Sequence, residues 1–226
     1  MKILEKTRLT LKDLKENPKI RHFVRKADET LAALGYTEHG ERHVSLVAKR
    51  AGEILRELGY PERTAELAEI AGYLHDVGNL INREYHAQTS AVIAYKLLEE
   101  LGMDYEELAE VMMAIGNHHE EDGTPVSPVA AALILADKSD VHRSRVRPIG
   151  NIEEDIHDRV NYAATFSKII VDREKKIITY KIEIDTDIAP VMEYFQIFLS
   201  RMLIASKAAK RLGCKFELII NDTKMI

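Results

Sequence analysis

Apolar residues recur every three or four positions as far as about residue 162, and beyond about residue 163 they alternate with polar ones. A helical period cannot lie flat in a sheet, and an alternating one cannot bury one face of a helix. The chain is therefore expected to be mainly α: a helical bundle over residues 1–162, then a small β-β-α-β unit over 163–226. In the first part, Gly and Pro punctuate the helices at Pro18, Gly35, Gly59-Tyr60-Pro61, Gly102, Gly123 with Pro125 and Pro128, and Pro148 with Gly150. Between the breaks, Val44, Val47, Ala48, Ala51, Ile54, Leu55 and Leu58 form one inward stripe. Leu108, Val111, Met112 and Ile115 form another. In the second part, "KIIVD" and "IITYKIEID" are rich in β-branched residues, with "REKK" as the hairpin loop between them. Ile188, Val191, Met192, Phe195, Leu199 and Met202 return to helical spacing, and Phe216, Leu218 and Ile220 alternate again.

Composition narrows the class of protein. At 226 residues, 46% hydrophobic and 31% charged, the chain can bury a substantial core. Its single cysteine, Cys214, excludes a disulfide framework and a cysteine-built zinc site, and suits a reducing cytoplasm. The uncharged run "VSPVAAALILA" is too short to span a bilayer, so no membrane partner is expected. The start "MKILEKTRLTLKDLKEN" is charged throughout and lacks the apolar stretch of a signal peptide. A net charge of −5 argues against bulk nucleic-acid binding.

The chain has nine histidines, and their positions carry the chemical argument. His43 lies one turn before Val47 and Ala51, on the inward stripe. His75 lies one turn after Ala71, and His118 and His119 prolong the stripe ending at Ile115. Asp137 falls three and four residues after Ile134 and Leu133 and four before Val141. A carboxylate on an apolar helix face costs several kcal/mol, roughly, unless it is paired or bound to metal. One inward histidine is most often a hydrogen-bonded core residue, and Asp137 alone could be met by Lys or Arg. Seven such groups together — His43, His75, Asp76, His86, His118, His119 and Asp137 — point to divalent transition metal, Fe, Mn, Co, Ni or Zn. His75 and Asp76 point about 100° apart on a helix, so both can serve one cluster only near a helix end. Gly78 follows and lets the chain turn there.

The stretches "HGERHVSLVAKRA", "AGYLHDVGN", "NHHEEDG" and "LILADKSD", taken in order, resemble the motifs of the HD-domain superfamily of metal-dependent phosphohydrolases. The resemblance runs over about residues 20 to 145. It implies an HD-type helical bundle and one or two metal ions. His43, His75, Asp76 and Asp137 would hold the first ion. Asp76, as a bridge, would hold the second with His86 and one or both of His118 and His119. His75 and Asp76 would be the catalytic doublet. Two ions a few Å apart can activate a water and clamp a phosphoryl oxygen. The extra histidines match the two-metal subset that includes the GYP proteins, which cleave cyclic di-GMP. Here, however, no GYP triplet follows "HHEEDG", and Asn79 stands where that subset usually has Lys. Small nucleotides and other phosphate esters or anhydrides remain as substrates.

Substrate phosphate calls for cations. "DKSDVHRSRVR" supplies Lys138, Arg143 and Arg147, and Arg83 lies shortly before His86; these are the candidate substrate-binding residues. The other reading of the arginine run is a solvated helix end. His39 and Asp140 are expected to support ligands rather than bind metal, and His22, His142 and His157 to be neither. Two further functions stay open at this level: a di-iron oxygenase on the same fold, and a regulatory module that binds a nucleotide without turnover. The C-terminal unit has no catalytic signature; a dimerisation or capping role is expected, with a homodimer as the assembly.

Overall fold

The computed structural model describes residues 8–148, 152 and 155–226. The expected break at Gly150 and the first seven residues lie outside that set. Helices α1 (Leu11–Glu16), α2 (Pro18–Ala33), α3 (Glu41–Leu58), α4 (Glu62–Leu74), α5 (His86–Glu100), α6 (Tyr105–Gly116), α7 (Pro128–Lys138) and α8 (Ile156–Ala163) come first, with 3-10 turns at Val77–Leu80 and Arg143–Arg145. Then follow β1 (Ala164–Asp172), β2 (Ile177–Ile184), α9 (Val191–Arg211), β3 (Lys215–Ile220) and β4 (Thr223–Lys224). The expected helical bundle followed by β-β-α-β is what forms. The two-residue β4 is an addition that alternation could not reveal.

Sequence chemistry sets the helix ends. Asn17 caps α2 by accepting from the Lys19 and Ile20 amides, and Pro18 takes the first helical position, where no donor is needed. Ser127 and Pro128 repeat that arrangement on α7. Gly59, at φ +82°, ends α3 in the left-handed region. Helix α7 is apolar on every side from Val129 to Ala136 and is fully buried, so it forms the axis of the bundle. Packed around it are α3, α4, α6 and α9. At Gly72 a Cβ would lie 2.7 Å from the Ala48 Cα, so its absence lets α4 lie close against α3.

The sheet has the order β1-β2-β3-β4. Strands β1 and β2 form the antiparallel hairpin, with Ile169 opposite Tyr180, and α9 is the crossover that makes β3 parallel to β2. Its inner face, Ile178, Tyr180, Ile182, Leu218 and Ile220, joins the same apolar core as the helices. The secondary structure changes at Ala164, but the core runs across that point without a break. Polar ties reinforce it. Tyr180 Oη donates to the Leu135 carbonyl at 2.5 Å, and Arg50 donates to both Ser139 and the Ser167 carbonyl. Among the described residues no helix is long and apolar enough to cross a membrane.

Candidate metal centre

Every member of the expected cluster sits at a helix end. His43 is in the first turn of α3, His75 caps the C-terminus of α4, and Asp76 precedes the 3-10 turn. His86 opens α5, His118 follows the end of α6, and Asp137 lies in the last turn of α7. Helix ends let adjacent residues converge, which answers the 100° separation of His75 and Asp76. Six of the seven expected ligands meet. His43, His75 and Asp76 form one group of donor atoms, and Asp76, His86 and His118 form another. His75, His118 and Asp137 form a third that overlaps both, with all atoms in each group within 4.8 Å of one another.

The two oxygens of Asp76 face different partners. Oδ2 lies 3.4 Å from His75 Nε2 and 3.7 Å from His43 Nε2. Oδ1 lies 3.6 Å from His86 Nε2 and 3.9 Å from His118 Nε2. Asp137 Oδ1 is 3.5 Å from His43 Nε2, while its Oδ2 pairs with Lys138 Nζ at 2.7 Å. Bonds of about 2.0–2.2 Å to a shared ion place ligand atoms about 3–3.5 Å apart. These spacings are that size or a few tenths wider.

The histidines are held in the tautomer that metal binding needs. His75 Nδ1 donates to the Gly72 carbonyl at 2.8 Å, His86 Nδ1 to Arg83 at 3.0 Å and His118 Nδ1 to Ile115 at 2.7 Å. In each case the acceptor is the carbonyl three residues back. His43 Nδ1 faces Asp140 Oδ2 at 2.7 Å. All four rings thus turn an Nε2 lone pair toward the cluster.

Burial and neighbouring charges set the protonation of the cluster. Burial pushes the His118 and His86 imidazoles down, His86 to about 4, so both are neutral. At His75 burial is outweighed by Asp76 and Asp137, and the net shift is upward. Burial would raise Asp76, Asp137 and Asp140, but the cations and imidazoles beside them hold all three well below the usual carboxylate range. Ionised carboxylates beside the neutral His86 and His118 imidazoles form a ligand set, an ion would take the place of the proton that Asp76 and Asp137 favour on His75, and the donor chemistry fits divalent transition metal.

The remaining expected residues are distributed unevenly. His119 lies outside all three groups: its ring is 4.9 Å from that of His86, its Nδ1 is 3.6 Å from Asp122 Oδ1, and it lines the adjoining cavity. The cavity has a volume of about 860 Å³ and is also lined by Arg83, His86 and Tyr85. Arg83 therefore reaches the cavity. Lys138 is buried between Asp137 and Glu120, pairing with Glu120 Oε2 at 2.6 Å. Arg143 and Arg147 do not line the cavity. Arg147 is pinned by Asp28 and the Tyr36 and Thr37 carbonyls, and Arg143 stacks on Tyr162, 5.3 Å from the ring centre. Their side chains tie the 143–147 segment to α2 and α8. His39 is buried and uses both nitrogens, toward the Thr37 carbonyl and the Arg145 guanidinium, so neither of its hydrogen bonds goes to a member of the cluster. Asp140 likewise supports His43. Glu120 and Arg201 were not anticipated. Glu120 stands directly after the "HH" pair, a local signal in the sequence, but nothing local marks Arg201.

Residues 40–142 match the family model described as HD domain. An uncharacterized protein of Methanocaldococcus jannaschii is 31% identical over 169 residues, which is 64% of each chain. Ribonuclease Y of Lawsonia intracellularis is 34% identical over 118 residues, 52% of this chain and 20% of that one. Ribonuclease Y of Streptococcus sanguinis is 34% identical over 112 residues, 50% of this chain and 19% of that one. The chain thus spans about a fifth of the length of the two ribonucleases. A solved structure, of a predicted HD superfamily hydrolase from an uncultured Thermotogales bacterium, has a TM-score of 0.46 at 28% identity, covering 59% of this chain and 75% of that one. The ordered His43, His75-Asp76 and Asp137 converge inside residues 40–142, the part of this chain that is similar to the HD domain.

Proposed function

We propose that this protein is a metal-dependent phosphohydrolase that cleaves an ester or anhydride bond of a small phosphorylated molecule, a nucleotide being the best-supported kind. The observation that carries the reading is Asp76, whose two oxygens face separate pairs of histidines, each ring oriented by its Nδ1 hydrogen bond. That arrangement supports two adjacent ion sites. His43, His75, Asp76 and Asp137 would hold one ion, and Asp76, His86 and His118 the other. When bound, ions there supply Lewis acidity toward a phosphoryl oxygen and make water a nucleophile near neutral pH. The chain's own part is to keep the His86 and His118 imidazoles neutral, the carboxylates ionised and the rings fixed in place. Arg83 gives the cavity wall a cation for phosphate. His119, exposed to the cavity beside Asp122, is placed to carry a proton rather than to hold an ion. The likeness of residues in this region to two proteins named Ribonuclease Y supports phosphodiester chemistry as one form of the reaction.

The test couples metal content to turnover. Protein purified without chelator is expected to carry two transition-metal equivalents per chain and to release product from bis-p-nitrophenyl phosphate or from nucleotides. Asp137→Ala and His75→Ala are expected to lose about 10³-fold or more in rate while staying folded. Parental rates in either variant would refute the reading.

A further inference from the structure

Helix α9 lies outside the region matched by the family model, yet Ile197, Phe198, Ser200 and Arg201 line the same cavity as His86 and His119. Arg201 is the residue with chemistry to offer. Its Nε donates to Glu120 Oε1 at 3.3 Å, and its guanidinium carbon lies 4.6 Å from the centre of the Phe198 ring. One edge of the guanidinium is thereby held and one face covered. Neither Nη group donates a hydrogen bond among the described residues, and the residue faces the cavity. A planar fork fixed at one edge and open at the other suits a tetrahedral or planar oxyanion.

Its neighbours narrow the choice. Arg145 also lines the cavity, but its guanidinium is spent on the Asp140 carbonyl, His39 Nε2 and the Glu38 carbonyl. Glu120 already has Lys138, so neutralising Glu120 does not account for the open Nη edge. An unbroken set of ion pairs, Asp137 to Lys138 to Glu120 to Arg201, ties the fork to the metal cluster at 2.7, 2.6 and 3.3 Å. The fork is therefore near the centre but is not part of it. The rest of the wall carries Glu84, Glu121, Asp122, Asp155 and Asp158. Those carboxylates repel a long polyanion and leave cationic places for few phosphates.

We propose that Arg201 of α9 binds a second anionic group of the substrate, remote from the bond that breaks, so that the C-terminal unit completes the substrate site and the substrate is a compact molecule with two anionic groups. The proposal rests on the phosphohydrolase reading and narrows its substrate class. It assigns Arg201 to substrate positioning, with no part in moving protons.

Arg201→Met and Arg201→Lys, with Lys207→Ala on the exposed side of the same helix as control, would be compared in metal-loaded protein. The substrates are a nucleoside 5′-diphosphate or a 5′-phosphorylated dinucleotide, each set against bis-p-nitrophenyl phosphate, which has no second anionic group. The expected result is a KM rise of tenfold or more for the doubly anionic substrates in Arg201→Met. The ratio of kcat/KM between the two kinds of substrate should fall at least tenfold, with partial recovery in Arg201→Lys. An unchanged ratio overturns the proposal while leaving the hydrolase reading intact. If the parental protein hydrolyses none of these compounds, calorimetric binding of inorganic pyrophosphate decides: at least fivefold weaker binding in Arg201→Met sustains the anion site, and equal binding removes it. Single-stranded RNA preferred over the compact substrates by the parental protein would also overturn the proposal.

Discussion

His43 Nδ1 donates to Asp140 Oδ2 at 2.7 Å, and Asp140 is itself gripped by Arg42, whose Nη2 lies 2.8 Å from the same oxygen. The carboxylate is ionised and can only accept, so the His43 proton must sit on Nδ1 and the lone pair on Nε2 faces the cluster. A buried aspartate just beyond the end of α7 thereby sets the tautomer of a cluster-facing histidine of α3.

Asp140→Asn keeps the shape but can turn an amide N–H toward His43 and favour the wrong tautomer. Metal affinity at the site containing His43 is expected to fall about 10–100-fold, as for other groups that orient a ligand. Chelator competition on the parental and variant proteins measures it. Unaltered affinity would show that His43 needs no such support.

The two neighbouring histidines should behave differently. His118→Ala is expected to lose one metal equivalent, because His118 Nε2 faces Asp76 Oδ1. His119→Ala should keep both ions and lose rate. Metal analysis of the two variants side by side is sufficient, and equal metal loss would return His119 to the ligand set.

Acid should weaken the metal-free fold. The His86 imidazole is held at about 4 by burial, against an ordinary 6.5, so between those values the unfolded chain takes up a proton that the folded chain refuses. The stability contributed is complete above pH 6.5 and is lost as pH falls toward 4. By pH 5 one such group costs about 2 kcal/mol. His39 and His118 shift the same way through burial, whereas His75 acts in the opposite sense. Thermal melts in chelator should therefore show Tm dropping from pH 7 to pH 5, with a shallower slope in His86→Asn. A Tm that rises over that interval would contradict the neutral assignment.

Lys138 sits between two carboxylates with almost no exposure. Lys138→Met deprives Asp137 and Glu120 of their shared cation, leaving Glu120 only Arg201, and is expected to cost about 3–5 kcal/mol in metal-free protein. Adding Glu120→Gln should restore part of that. Urea denaturation of the single and double variants gives the coupling, and strictly additive losses would mean the two residues act independently.

Much of the centre was legible because metal ligands violate binary patterning. His43, His75 and Asp137 interrupt apolar stripes, and that irregularity is visible in one dimension. Asp76 was legible through its place beside His75 at a helix end. The arginines were harder. Lys138, Arg143 and Arg147 look alike in sequence, each a cation shortly after Asp137. Only packing shows that Lys138 is an internal counter-ion, that Arg147 is held by Asp28 from α2, and that Arg143 covers Tyr162.

Periodicity by itself determined the helical bundle, the change of regime near residue 163 and the order β-β-α-β, because each depends on local geometry repeated along the chain. It determined the inward polar residues for the same reason. Which of the adjacent histidines turns inward, which arginine reaches the cavity, and that α9 forms part of its wall depended on contacts between residues far apart in sequence. Arg201 meets Glu120 across 81 positions, and His43 meets Asp140 across 97. No local pattern encodes such pairs; they exist only once the apolar faces of α3, α7 and α9 have docked, and docking is a property of the whole fold.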